Sequence, residues 1–201
     1  MFELLYEYFT QNSIESLAAL FGVICVYLNA KENIWTWPTG LVSVGLYVIV
    51  FWNVFLIGDF VLHIIYVILG IYGWYNWLYG SKQHSELAIT FSEKRELLVL
   101  LLLGVLSTAG TGYLLQRYAD SGVPYWDATT TIFSLIAQWQ LAKKRIETWF
   151  VWIFVDVLCV GIYYYKGLYI TSGLYFIYLL LCIVGINTWR KHYRQQLQAV
   201  A

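Results

Sequence analysis

Gly70-Ile71-Tyr72-Gly73-Trp74 closes one long apolar segment, and Gly185-Ile186-Asn187-Thr188-Trp189 closes another, 115 positions later. Upstream of each lies a second apolar segment that opens on paired tryptophans, Trp35 and Trp37 in the first case and Trp149 and Trp152 in the second. Each half of the chain therefore reads as three hydrophobic segments, with one more between the halves. Weak internal symmetry of this kind in an apolar chain points to a membrane transporter, with its site between the repeats near mid-bilayer.

Composition sets the class. Of 201 residues, 60% are hydrophobic and 12% are charged, about half the charged share of a soluble domain. No polar stretch exceeds about twenty residues, so no aqueous domain of useful size is expected. The segment 1–13 is acidic and aromatic without a basic n-region, which predicts no cleavable signal peptide. Cys25, Cys159 and Cys182 fall inside apolar segments and read as packing residues, so neither a disulfide framework nor a metal site is expected. A formal net charge of zero argues against a nucleic-acid partner. Gly-x-Ser-x-Gly, His-Glu-x-x-His and a phosphate-cradling glycine loop are all absent, so neither an enzyme nor a bound cofactor is expected. The seventh segment carries no lysine, Lys166 only preceding it, which disfavours a retinal protein. Pumping driven by ATP would need another subunit.

The apolar runs cover about 14–30, 34–55, 60–79, 97–115, 128–142, 148–165 and 168–189. Most are long enough to cross a hydrocarbon core of roughly 30 Å as helices. The fifth is short and carries Thr129, Thr130, Thr131, Ser134 and Gln138, which predicts a place in the protein interior. If the C-terminus is cytoplasmic, ten basic residues face inward (Lys31, Lys82, Lys94, Arg95, Lys143, Lys144, Arg145, Arg190, Lys191 and Arg194) against Arg117 and Lys166 outside. That bias puts the N-terminus, with Glu3, Glu7 and Glu15, outside. Parity then matters: the fourth helix gives both three-helix units the same orientation. The expectation is an all-α membrane protein with parallel repeats at 14–79 and 126–190, joined by a linker helix at 97–115, as in SWEET-type sugar transporters.

Ionisable residues at membrane depth are the functional candidates, because inserting one costs about 2.5–3.5 kcal/mol. Asp156 lies halfway along the sixth segment and shares a helical face with Trp149 and Trp152. His63 precedes Tyr66 by one turn and Gly70 by two, and Gln138 follows Ser134 by one turn. Aromatic rings beside a carboxylate suit a flat cationic ligand through stacking, cation–π and ionic contacts. Trp35, Trp37, Trp74, Trp77 and Trp189 read as interface anchors or packing residues. Trp152 reads as a pocket residue, and Trp149 stands between the two readings. His63 is equally a core histidine or a ligand contact. The threonines at 129–131 can simply hydrogen-bond their own helix.

At these residues the chain resembles the bacterial PnuC-type vitamin transporters over nearly its whole length. The matching stretches are Ile71-Tyr72-Gly73-Trp74-Tyr75-x-Trp77, Trp126-Asp127, and Lys144-Arg145-Ile146-Glu147-Thr148-Trp149-Phe150-Val151-Trp152. The resemblance implies seven helices, two three-helix repeats, a homotrimer in the bacterial inner membrane, and facilitated diffusion of a vitamin that a cytosolic kinase then traps. Nicotinamide riboside carriers of this family are similar to one another in having Trp-x-x-x-Asn in the sixth helix and a glutamine in the third. Here the first reads Trp152-Ile153-Phe154-Val155-Asp156, and His63 stands at the glutamine position. An ionised Asp offers acceptors only, which suits the amino group of an aminopyrimidine beside a cationic thiazolium. The resemblance therefore points to thiamine and the PnuT branch, with nicotinamide riboside as the alternative and riboflavin third. A proton-coupled carrier with His63 and Asp156 as relay is the reading from a different class. The expected ligand contacts are Asp156, Trp152, Trp149, His63, Tyr66, Gln138 and Ser43.

Overall fold

The computed structural model describes residues 13–53, 57–81, 84–119 and 122–200. Glu3 and Glu7, Lys82 of the charge count, and positions 54–55 of the second apolar run lie outside the described residues. Among the described residues seven helices follow in chain order: α1 (Ser13–Ala30), α2 (Thr36–Asn53), α3 (Ile57–Tyr79), α4 (Lys94–Tyr118), α5 (Pro124–Ala142), α6 (Thr148–Tyr165) and α7 (Tyr169–Val200). Five of them, α1, α3, α4, α6 and α7, are long and apolar enough to cross a membrane.

Helix α5 falls below that mark because of its polar residues, and its burial compensates. Ala128, Ser134, Ala137, Gln140, Leu141 and Ala142 are all buried. Its threonines satisfy themselves within the helix: Thr129 Oγ1 donates to Tyr125 O at 2.6 Å and Thr130 Oγ1 to Asp127 O at 3.0 Å. Helix α7 runs past the expected boundary at 189 and carries Arg190, Lys191 and Arg194 on its extension.

Packing follows two groups of three. Helix α2 touches α1 and α3, helix α6 touches α5 and α7, and the groups meet through α3 with α5 and α1 with α7. Among the described residues α4 packs on α5 alone. Gly104 and Gly112 allow that approach, since a Cβ at either would press on the Phe133 or Tyr125 ring. The rest of α4 exposes Leu98, Leu101, Leu102, Val105 and Leu106, the surface of a helix facing lipid or another subunit.

Helices α1 and α5 end in the same turn. Glu32 (φ 56°) and Lys144 (φ 49°) occupy the left-handed region. Asn33 N–H donates to Leu28 O and Glu32 N–H to Asn29 O, both at 2.9 Å, while Arg145 N–H donates to Gln140 O and Lys144 N–H to Leu141 O, both at 3.0 Å. These are the paired bonds of a Schellman cap, usually built on glycine. A residue with a Cβ costs about 1–2 kcal/mol there, and here both side chains use the position. Lys144 Nζ donates to Glu32 Oε1 at 2.9 Å, with both groups largely buried. The same ammonium lies 4.7 Å from the centre of the Trp77 ring, and Glu32 Oε2 meets His192 Nδ1 at 2.6 Å. Arg145 and Lys143 pair with Glu96 at 2.9 and 3.9 Å, so the basic turn residues gather at one end of the bundle.

The matching turns belong to a longer set of contacts that recurs at a spacing of 112 positions. Thr36 Oγ1 donates to Cys25 O at 2.9 Å, and Thr148 Oγ1 to Ala137 O at 2.8 Å. Trp77 Nε1 donates to Leu141 O at 3.0 Å, and Trp189 Nε1 to Asn29 O at 2.9 Å. Trp37 lies edge-on to Trp77 at 5.3 Å and Trp149 edge-on to Trp189 at 5.4 Å, and Trp77 meets Trp189 at 5.8 Å. Gly73 makes room for the Trp37 ring, as Gly185 does for Trp149. The four tryptophans thus form one chain of ring contacts between the two groups, and each indole of the third helices caps a helix-end carbonyl of the opposite group. Leaving such a buried carbonyl unpaired costs about 1–3 kcal/mol.

These contacts correct the sequence register. Gly185 corresponds to Gly73, and the pairing of Gly70 with Gly185 at 115 positions is not the one the contacts follow. A slip of three residues moves a helical position by less than a quarter turn around the axis, so both registers keep the same apolar face.

Candidate functional site

A cavity of about 250 Å³ opens between the two groups, lined by residues of α1, α2, α3, α5, α6 and α7. Ser43, His63, Tyr66, Gln138, Trp149, Trp152 and Asp156 all line it, so the seven residues singled out from sequence meet in one space. Their roles differ. Ser43 Oγ donates to Ala18 O at 2.7 Å, which commits its hydroxyl hydrogen to α1–α2 packing. The His63 ring lies among aromatic neighbours, 4.8 Å from Phe51, 5.5 Å from Tyr47 and 5.7 Å from Tyr66, with Nδ1 held 2.8 Å from Asp59 O. Trp149 is 1% exposed and is held by Trp189 and Gly185, so it belongs to the floor of the cavity. Trp152 is only partly buried and packs on that same cluster, which leaves ring surface toward the cavity.

Asp156 is 3% exposed. The Cys182 thiol donates to its Oδ2 at 3.4 Å, a weak partner for a carboxyl group. No ion pair engages Asp156 among the described residues, and none joins it to His63. A buried carboxyl group without a cationic neighbour has the chemistry to take a positively charged ligand as its partner. Aromatic rings around it supply stacking surface and cation–π attraction. Among the described residues no group of three or more His, Cys, Asp or Glu could hold a metal ion.

Sequence reasoning missed part of the lining. Trp37, read as an anchor or packing residue, is 3% exposed and lines the cavity, and its Nε1 has no hydrogen-bond partner. Asn29, Tyr175, Tyr178 and Cys182 also line it. The signal that could have found two of them is the repeat spacing, which sets Tyr175 opposite His63 and Tyr178 opposite Tyr66. That signal becomes readable only once the 112-position register is known.

Residues 12–191 match the family model described as nicotinamide mononucleotide transporter. The chain is 24% identical to the nicotinamide riboside transporter PnuC of Escherichia coli, covering 91% of this chain and 87% of that one. It is 28% identical to the nicotinamide riboside transporter PnuC of Neisseria mucosa, over 89% of this chain and 72% of that one. The riboflavin/roseoflavin transporter RibM of Streptomyces davaonensis is 25% identical over 85% of this chain and 81% of its own length. Among solved structures, the crystal structure of the vitamin B3 transporter PnuC superposes with a TM-score of 0.73 at 24% identity, covering 96% of this chain and 88% of that one.

Proposed function

The chain belongs to the nicotinamide mononucleotide transporter family, and from that footing we propose that it carries a flat, cationic vitamin into the bacterial cytoplasm by facilitated diffusion, with nicotinamide riboside as the first candidate. The observation that carries the reading is the aromatic cavity around the buried, cation-free Asp156. Two relatives are named for nicotinamide riboside. Sequence reasoning placed thiamine first, from Asp156 and His63, and the relatives' names do not support that order. The physical reason is that Asp156 answers the positive ring of either vitamin, so it does not separate them. Thiamine remains the second reading, because an acceptor-only carboxylate also matches an aminopyrimidine. Riboflavin is neutral and stays third.

In this reading α1–α3 and α5–α7 are parallel repeats, spanning about 14–79 and 126–190 and joined by the 97–115 linker helix. The contacts that recur 112 positions apart support it. Asp156, Trp152, Trp149, His63, Tyr66, Gln138 and Ser43 surround the substrate. The apolar face of α4 is where a homotrimer assembles, and a cytosolic kinase traps the vitamin without touching the carrier.

The N-terminus is outside and the C-terminus cytoplasmic, following the basic end of the bundle. Cysteines introduced near Gly122 are expected to label from outside intact cells, and those near Lys143 only after permeabilisation; the reverse pattern contradicts the orientation. Transport itself is tested in liposomes. Radiolabelled nicotinamide riboside is expected to equilibrate into proteoliposomes in the absence of any ion gradient. Uptake that requires a proton gradient would support the relay reading of His63 and Asp156, two groups that no hydrogen bond or ion pair joins in this structure.

A further inference from the structure

Both members of several pairs 112 positions apart line the cavity, Trp37 with Trp149, Val44 with Asp156 and Tyr66 with Tyr178 among them. In the parallel-repeat reading given above, the pseudo-two-fold axis therefore runs through it. A residue touches its own counterpart only close to such an axis. Trp77 and Trp189 do so, with ring centres 5.8 Å apart, and so do Glu32 and Lys144, joined by the ammonium donating to Glu32 Oε1 at 2.9 Å. The first pair lies against the floor of the cavity, Trp77 edge-on to Trp37 and Trp189 edge-on to Trp149. The second stands beyond the ends of α1 and α5, with the Lys144 ammonium 4.7 Å from the centre of the Trp77 ring. A molecule leaving along the axis at this end meets the rings first and the ion pair next.

The ion pair is a built feature. Both residues occupy left-handed backbone, φ 56° and 49°, at a turn position where glycine is the usual choice. Lys144 is 6% exposed, and a charge so deeply buried needs its partner. Its turn is strapped from outside by the segment between α3 and α4. Thr90 N–H donates to Lys144 O and Ile146 N–H to Thr90 O, both at 3.1 Å. Ile89, 1% exposed, packs into the cluster that holds Trp77 and Trp189. Further bonds between the two groups gather here: Asn76 Nδ2 donates to Ala142 O at 2.8 Å, beside the indole bonds to Leu141 O and Asn29 O. Opposite charges on two packed bodies form a contact that is either made or broken, which suits a switch between two arrangements of those bodies.

We infer that the Glu32–Lys144 pair is the latch that closes the cavity at this end, cytoplasmic in the orientation given above, and that the two side chains part before a bound vitamin leaves. Trp77 and Trp189 are the gate it holds shut. Glu32 and Lys144 stand outside the cavity lining, so the pair governs release and leaves recognition to the cavity residues. This rests on the vitamin-carrier reading above and adds where the path out is closed.

The native cysteines read the latch. Cys25 lines the cavity and is partly buried, whereas Cys159 is buried outside the lining. Inside-out vesicles holding the full-length protein are treated with a membrane-impermeant cationic thiol reagent, and modification of each cysteine is followed by mass spectrometry. The variants are Glu32→Gln, Lys144→Met, and the exchange of Glu32→Lys with Lys144→Glu. Each single variant is expected to modify Cys25 about fivefold or more faster than wild type, through a larger population open at this end. Cys159 is expected to stay unmodified. The exchange is expected to return Cys25 to within about twofold of wild type, because the two turns share one backbone geometry and the coupling belongs to the pair. Nicotinamide riboside affinity is expected to change by less than about threefold throughout, since the binding-competent population stays large.

Modification of Cys159 marks a variant that has lost its fold. Glu32→Asp, which keeps the charge and shortens its reach, is then read in place of Glu32→Gln. Folded single variants that label Cys25 at the wild-type rate, or an exchange that labels as fast as they do, overturn the latch. A rise confined to right-side-out vesicles overturns its cytoplasmic placement. A wild type that does not bind nicotinamide riboside overturns the carrier reading for that vitamin and leaves the labelling to decide the latch.

Discussion

Asp156→Ala is expected to weaken vitamin binding by about 2–5 kcal/mol, the cost of leaving one member of a desolvated charge pair without the other. The loss falls on the complex, because the ligand's positive ring then enters a cavity with no opposite charge. The free protein loses only the weak bond from Cys182 at 3.4 Å. Its thermal unfolding is therefore expected to stay near wild type. Asp156→Asn keeps the shape and an acceptor oxygen, so it is expected to fall between alanine and wild type. Calorimetric titration of the purified variants measures this directly. Unchanged affinity in Asp156→Ala would remove the carboxyl group from the site.

The second large effect is expected at Trp152. Trp152→Ala removes a stacking surface from the cavity wall and is expected to cost about 1–3 kcal/mol of binding, in the range of ring-on-base stacking. Trp152→Phe keeps a smaller π-face and is expected to lose less. Equal losses in a folded protein would assign Trp152 to packing of the tryptophan cluster it adjoins. Trp149 offers the contrast. It is held between Trp189 and Gly185, where a Cβ on the glycine would stand 2.6 Å from the ring. Truncating it is expected to lower stability as well as binding, since a large buried side chain leaves a cavity behind.

Much of this was legible in the chain. Helix α6 runs over Thr148–Tyr165, the span expected from sequence, because a continuous apolar run leaves the backbone no other way to satisfy its hydrogen bonds in lipid. The interior place of α5 followed from its polar side chains. Asp156, His63 and Gln138 stood out because polar groups at depth are costly and therefore rare, and that cost brought them to one cavity.

Other features were not legible. The register between the halves was misread by three residues, since helical periodicity is insensitive to that slip. What fixes the register is tertiary: the indoles of Trp77 and Trp189 cap carbonyls at Leu141 and Asn29. Gly104 and Gly112 carried no signal, because glycine is common in membrane helices and its meaning depends on which side chain lies across from it. Asn29 sits beside a charged turn, where an asparagine passes for a helix-end residue. Its place on the cavity is visible only in three dimensions.

The central claim is that the cavity between the two groups binds a flat cation through Asp156. Calorimetric titration of the wild-type protein against nicotinamide riboside, thiamine and riboflavin tests it most directly. Saturable binding of nicotinamide riboside, weaker binding of thiamine and none of neutral riboflavin is the expected result. Saturable binding of riboflavin, with neither cation bound, would contradict it.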